Sequence, residues 1–296
     1  MTVDPLDGDG YPAFYEQANA ASLLAQRQFL WALRIRLAGM LAASIGGAVF
    51  LSLDMDAVGG WIALVGFLAA IVAEAYSSAE KPDKAWYEGR AAAESIKTLT
   101  WRYAMRGESF TGATDANSDS DFVGRLREVL QDLNDVDLSV PASGSEQITP
   151  AMRSIRQSSF ETRKSMYRTG RIESQREWYK SKSIANGQAA RLWTVCVFAL
   201  EGLGVLGAVL IIVGISGVDL MALFAAIAAT ITAWVQAKQH KILATAYSVT
   251  SQELAAVKSE LDLIIDESAW AAFVSQAEEA ISREHTLWRA SRGVRL

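Results

Sequence analysis

Two stretches of the chain are almost purely apolar, and each is interrupted once by a few small or acidic residues. Leu192–Ile215 and Leu220–Gln236 are separated by Ser216, Gly217, Val218 and Asp219. Leu37–Leu53 and Val58–Tyr76 are separated by Asp54, Met55, Asp56 and Ala57. Each run approaches the ~20 apolar residues that carry a helix across a hydrocarbon core. Connectors this short leave the two helices of a pair antiparallel. A helix satisfies its backbone groups within one segment, as lipid requires. The pattern therefore predicts four membrane helices, at about 37–53, 58–76, 192–215 and 220–236, arranged as two hairpins. One unit occurs twice in tandem.

Around the hairpins the pattern becomes amphipathic with helical spacing. Residues 1–12 read as a disordered or loosely attached leader and 13–36 as a helix that runs into the first membrane segment. Residues 83–106 form a strongly amphipathic helix, 107–121 a polar loop, and 122–133 a short helix with Phe122, Leu126, Val129, Leu130 and Leu133 on one face. Pro141 and Gly144 mark a linker at 140–145. A long charged helix is expected over 150–190, then the second hairpin. A continuing helix to about 265 and a final one over 267–291 follow, the latter with Trp270, Phe273, Val274, Ala277, Ile281 and Trp288 on one side. The expected organisation is a first unit, 1–140, with its extension at 83–133, and a second, 146–296, with its extension at 237–291. The fold class is an all-α integral membrane protein.

Composition sharpens this picture. Of 296 residues, 51% are apolar and 21% charged, so the membrane segments and charged helices are different classes of sequence. Basic residues lie before the first hairpin, between the hairpins and after the second, whereas the two turns carry only Asp among charged residues. The positive-inside rule then places both termini and the central region in the cytoplasm. The acidic start MTVDPLDGDGYP predicts no cleaved signal peptide, so the first apolar helix is expected to act as its own membrane signal. The lone Cys196 allows no intrachain disulfide.

Polar groups inside the membrane runs are the first functional candidates. Glu201 lies in the third run, on its cytoplasmic side, level with Trp234. It suits either a carboxylate ring in an oligomeric cation pore or a carboxylate paired with Lys238 or hydrogen-bonded within the bundle. Glu74 falls level with Arg36, where an interfacial ion pair is expected, and Gln236 occupies the matching place in the second hairpin. Rows of small residues at four-residue spacing would let helices approach closely: Gly39, Ala43 and Gly47; Ala222, Ala226 and Thr230; Ala225, Ala229 and Ala233. His240 and His285 have no zinc-like spacing, and no phosphate loop, nucleophile elbow or Cys/His pair is present. No enzyme, cofactor or metal is expected. The basic stretch from Arg153 to Arg191 reads as charge for anionic headgroups, ahead of nucleic acid.

The helix after the first hairpin carries Lys84, Trp86, Tyr87, Gly89, Arg90, Glu94, Lys97, Trp101, Arg102 and Tyr103. The helix before the second carries Tyr167, Arg171, Ile172, Gln175, Trp178, Tyr179 and Lys182, and the last helix Glu279, Ile281, Arg283, Glu284, His285 and Trp288. With the hairpins, these resemble the SLATT family of bacterial membrane effectors, which pair two membrane helices with a cytoplasmic helical extension and associate with SMODS and SLOG proteins. The chain looks like two such units in tandem. Trp86, Tyr87, Arg90, Glu94, Lys97, Trp101 and Tyr103 match the family signature in the first unit, and Glu284 and Trp288 in the second. Their chemistry reads as structural: Arg90 and Glu94 pair across one turn, and the rings bury area against neighbouring helices.

The resemblance implies a pore-forming or membrane-perturbing effector of the bacterial inner membrane, acting in defence and triggered by a cytoplasmic partner protein or a nucleotide signal. Four helices with few polar groups enclose no wide pore, so conduction calls for a homo-oligomer in the lipid bilayer. A non-conducting membrane scaffold or sensor that docks a cytoplasmic partner is the alternative. An integral-membrane enzyme is a distant third.

Overall fold

The computed structural model describes residues 4–50, 56–111, 115–131, 145–215 and 219–291. Among these every regular element is helical: α1 (Ala13–Ile45), α2 (Asp56–Glu80), α3 (Pro82–Ala104), α4 (Asp115–Gln131), α5 (Pro150–Gln157), α6 (Phe160–Met166), α7 (Ser174–Ile212), α8 (Leu220–Lys238), α9 (His240–Leu263) and α10 (Glu267–Ser291). Two segments wind wider, as π-helix: Gly46–Phe50 after α1, and Tyr167–Glu173 between α6 and α7. Four of the helical runs are long and apolar enough to cross a membrane: Ala13–Ala48, Ala57–Glu80, Phe160–Ile212 and Leu220–Leu263. The residues expected to form the linker at 140–144, the centre of the first turn (54 and 55) and the centre of the second (216–218) lie outside the described residues, as does Leu133.

The helices gather into two compact units that do not follow the sequence halves. One comprises Met1–Gln26, Asp83–Lys182 and Ala246–Leu296, and the other Arg27–Pro82 and Ser183–Thr245. The second unit thus collects all four apolar segments, and the first collects the amphipathic helices.

In the apolar unit the first hairpin is held by glycine. A Cβ on Gly39 would lie 2.5 Å from the Gly66 carbonyl oxygen, and one on Gly66 would run into the Gly39 carbonyl in return. Gly46 meets the Gly59 carbonyl in the same way, at 2.6 Å. The row expected from Gly39, Ala43 and Gly47 is therefore shifted at its end. Ala43 is buried, but a Cβ on Gly47 would have nothing within 4 Å. At about 100° per residue the seventh position on from Gly39, Gly46, returns to within about 20° of it, whereas the eighth, Gly47, lies about 80° round, so strict four-residue counting drifts off the seam. In the second hairpin Gly207 lies against Leu220 and Met221, and the Asp219 carboxylate caps α8 by accepting from the Ala222 N–H at 2.9 Å.

The amphipathic unit has a dense aromatic core in which Trp101, Tyr103, Phe110, Phe122, Tyr167 and Trp270 are fully enclosed. Trp101 and Trp270 both meet the Tyr167 ring edge-on, with centroids 5.7 Å apart. The buried face of α10, Trp270, Phe273, Val274, Ala277 and Ile281, is the one its periodicity indicates.

Several sequence expectations are corrected. The leader is anchored: Leu6 and Tyr11 are buried in the core, and the Asp4 carboxylate accepts from the Leu6 N–H at 2.9 Å and the Tyr11 hydroxyl at 2.6 Å. The expected loop 107–121 already contains the start of α4, because Arg156 organises it. That guanidinium donates to the carbonyls of Tyr103 and Phe110, both at 2.9 Å, to Ser118 Oγ at 2.8 Å and to Asp115 at 3.0 Å. The expected helix 150–190 breaks at Ser158 and Ser159, both extended, where Ser159 caps α6. The helix leaving the second hairpin is interrupted at Gln239, which adopts a left-handed conformation (φ 52°) between α8 and α9. By contrast, 13–36 and the following membrane run form one unbroken helix as far as Ile45.

Candidate functional site

Both units place polar groups against the local grain, and in each one such place stands out. In the apolar unit it is the outward face of α7. Phe198, Glu201, Val205 and Ile212 succeed one another at helical spacing and are all exposed. Among the described residues no hydrogen bond or ion pair reaches Glu201, so the expected pairing with Lys238 does not form. Lys238 instead places its ammonium 5.4 Å from the centre of the Trp234 ring. Glu201 is eleven residues from the end of α7 at Ile212, a rise of about 16 Å. The outward face of α2 is a useful contrast: Trp61, Val65, Leu68 and Val72 form an equally exposed stripe without a polar group.

Glu74 differs from Glu201. Its carboxylate lies 2.6 Å from the Arg36 guanidinium, with both side chains about half exposed. Gln236 is exposed and stands beside a groove of about 490 Å³ between α1 and α8, whose floor includes Ala226, Ala229 and Ala233. The structure does not bring Glu74, Gln236 and Glu201 into one cluster.

In the amphipathic unit the polar centre is the ion pair of Arg171 and Glu278, both fully buried. Arg171 Nε donates to Glu278 Oε1 at 2.9 Å and Nη2 to Oε2 at 2.7 Å, and the Tyr167 hydroxyl donates to Oε1 at 3.0 Å. The π-helical winding of 167–173 turns Tyr167, Gly170, Arg171 and Ile172 all inward. Gly170 admits the leader, since a Cβ there would collide with the Pro5 ring. Tyr11 then accepts a hydrogen bond from the Trp101 indole at 2.9 Å, while the Lys97 ammonium stands 3.8 Å from Asp4. Burial, and next the Glu278 charge, push the Tyr167 hydroxyl well above the usual tyrosine range. Burial and then Asp4 do the same to Tyr11. Burial and then Glu94 raise Tyr15 to about 12. Burial, aided by Arg171, pulls Lys97 below its ordinary value. This network is a bidentate charged pair inside an aromatic shell, with the guanidinium and carboxylate turned on each other.

The signature residues fall in the same unit. Tyr87, Glu94, Trp101 and Tyr103 are buried, Trp86 stacks on Tyr87 with centroids 4.8 Å apart, and Arg90 pairs with Glu94 at 2.5 Å. Glu284 and Trp288 lie on the α10 backbone, but their side chains are outside the described residues. The basic run needs correcting. Arg156, Arg163 and Arg171 are not surface charge but are buried, spent on Asp115, Glu267 and Glu278 respectively. Sequence reasoning missed Asp4, Tyr11 and Glu278, and named Arg171 only within the basic stretch and among the residues that carry the resemblance, not as part of a buried pair. The available signal was Glu278 itself, a carboxylate set between Val274 and Ile281 on the apolar face of α10.

Two family models cover nearly the whole chain in tandem. The model described as SMODS and SLOG-associating 2TM effector domain 3 matches residues 12–164, and that described as domain 1 of the same series matches residues 167–288. The chain belongs to the SLATT family. It is a tandem SLATT protein and a multi-pass membrane protein, and SLATT domains are membrane effector domains associated with defence systems. The junction between the two SLATT matches falls at 164–167, where α6 gives way to the π-helical segment. No curated protein and no solved structure matches the chain.

Proposed function

We propose that this tandem SLATT protein is an effector of a bacterial defence system that assembles into an oligomeric ion-conducting pore in the inner membrane. Its termini and the amphipathic unit lie in the cytoplasm, where that unit receives the trigger, a partner protein or a nucleotide signal, and gates the pore. It acts without catalysis and without a cofactor. The observation that carries this reading is Glu201, exposed and unpartnered on an otherwise apolar face. A charged side chain in a membrane helix is costly, about 3 kcal/mol at the bilayer centre and less toward the cytoplasmic side where Glu201 lies, and such groups face a bundle interior or a water-filled path. A single chain offers Glu201 neither. Copies arranged about an axis would supply both, giving a ring of carboxylates that favours cations.

The test is planar-bilayer recording of the purified protein beside Glu201→Gln. The proposal expects cation-selective current whose selectivity or conductance changes in the variant. Unchanged current would remove Glu201 from the pathway. A second reading, a scaffold or sensor without conductance, is favoured by the size of the amphipathic unit, which includes Asp83–Lys182 and Ala246–Leu296. Liposomes that stay sealed, together with a stable co-purifying partner, would select it.

A further inference from the structure

Around Trp234 two cations meet without an anion. The Arg34 guanidinium lies 5.5 Å from the centre of the Trp234 ring and 5.9 Å from that of Trp31, and the Lys238 ammonium lies 5.4 Å from the Trp234 ring. No carboxylate among the described residues forms an ion pair with either. Arg36, two residues along, is by contrast engaged by Glu74 at 2.6 Å. Two like charges sharing one ring repel each other, and an anion between them would turn that repulsion into attraction.

The chain neighbours of these three residues, Leu33, Ala233 and Ala237, line one end of a groove between α1 and α8. It starts at Leu33 and Ala237 and ends at Ser44 and Ala226, so it follows eleven residues of antiparallel helix, about 16 Å. Its volume of about 490 Å³ lies within the usual range of ligand sites. The small side chains Ala226, Ala229 and Ala233 give it depth, and Leu37 and Met40 give it an apolar wall. The hydroxyls along it are already used by their own helices: Ser44 donates to the Met40 carbonyl at 3.0 Å and Thr230 to the Ala226 carbonyl at 2.8 Å. Arg36, paired with Glu74, and Gln236 also line the groove near its Leu33–Ala237 end, so beyond that end the trough is apolar in effect.

We infer that this groove holds one anionic glycerophospholipid, with its phosphate at the Arg34–Trp234–Lys238 cluster and an acyl chain laid along the trough. Free phosphate would use only the cluster. A lipid uses both parts, and a basic pocket between membrane helices at headgroup depth suits an anionic lipid. The site is independent of whether the protein conducts.

The test is native mass spectrometry of the full chain in mild detergent, titrated with phosphatidylglycerol or phosphatidylcholine. The expected result is one phosphatidylglycerol per chain, held in preference to phosphatidylcholine and resistant to excess inorganic phosphate. Arg34→Gln combined with Lys238→Gln should weaken phosphatidylglycerol roughly twenty-five-fold, about fivefold for each basic residue, and abolish the preference. Ala233→Leu, which leaves the cations in place and fills the trough, should lower retention of both lipids. Equal binding of the two lipids by the unaltered chain would overturn the inference, as would retention unaffected by Ala233→Leu. Displacement of the lipid by inorganic phosphate, or a second copy of the chain seated in the groove, would also overturn it.

Discussion

At the scale of single residues, the amphipathic unit turns on charges that have left water. Arg171 and Glu278 are fully enclosed, so removing either leaves the other without compensation. Glu278→Gln is expected to destabilise the unit by about 3–5 kcal/mol, and Arg171→Met with Glu278→Leu to recover most of that loss. Chemical denaturation followed by tryptophan fluorescence would measure both. The tyrosines make a pH prediction. Tyr11, Tyr15 and Tyr167 all have folded pKa values above the ordinary 10.0. Their contribution is fully present below pH 10 and is lost as pH rises through the folded values, because only the unfolded chain ionises there. Lys97, lowered in the folded state, works in the opposite sense, as a single group against three. Stability should therefore fall above about pH 10, with tyrosinate absorbance rising together with the loss of helical circular dichroism. Little of this was legible in advance. Arg156, Arg163 and Arg171 look like their exposed neighbours Arg153 and Lys180, since burial of a basic residue depends on which distant carboxylate or carbonyl meets it.

At the scale of elements, the four apolar helices were plain from composition because lipid imposes length and apolarity on each segment separately. Their seams were not. Gly39 and Gly46 face α2 while Gly47 faces open space, and a four-residue count, which drifts about 40° round the helix at each step, cannot tell which of two adjacent glycines meets the neighbour. Gly66→Val should therefore force the first hairpin apart, whereas Gly47→Val should be tolerated. Thermal melting of the detergent-solubilised variants would show a clear loss for the first and little change for the second. The same reasoning explains the missed interruption at Gln239, a non-glycine residue in the left-handed region held by its surroundings. Likewise the leader docks only because Gly170 leaves room for Pro5, a match between positions far apart in the chain. Gly170→Leu should release the leader, detected as new protease cleavage near residues 4–12.

At the scale of the molecule, the tandem repeat and the two compact units cut the chain in different directions. Reading along the sequence found the repeat, because each SLATT unit carries its own apolar hairpin. It could not find the units, because burial pools residues from both repeats: Trp101 from the first and Trp270 from the second flank the same Tyr167 ring. A chain ended at Lys164 should accordingly keep its first hairpin yet show no cooperative melt of the amphipathic unit by near-ultraviolet circular dichroism. The bond from the Trp270 indole to the Met105 carbonyl, 2.7 Å long, joins residues 165 positions apart. At a ribosome's pace of about 5–20 residues per second, Met105 waits roughly ten to thirty seconds for its partner to be made. Both hairpins are synthesised before that bond can close, so the apolar segments leave the ribosome while the aromatic core is still open.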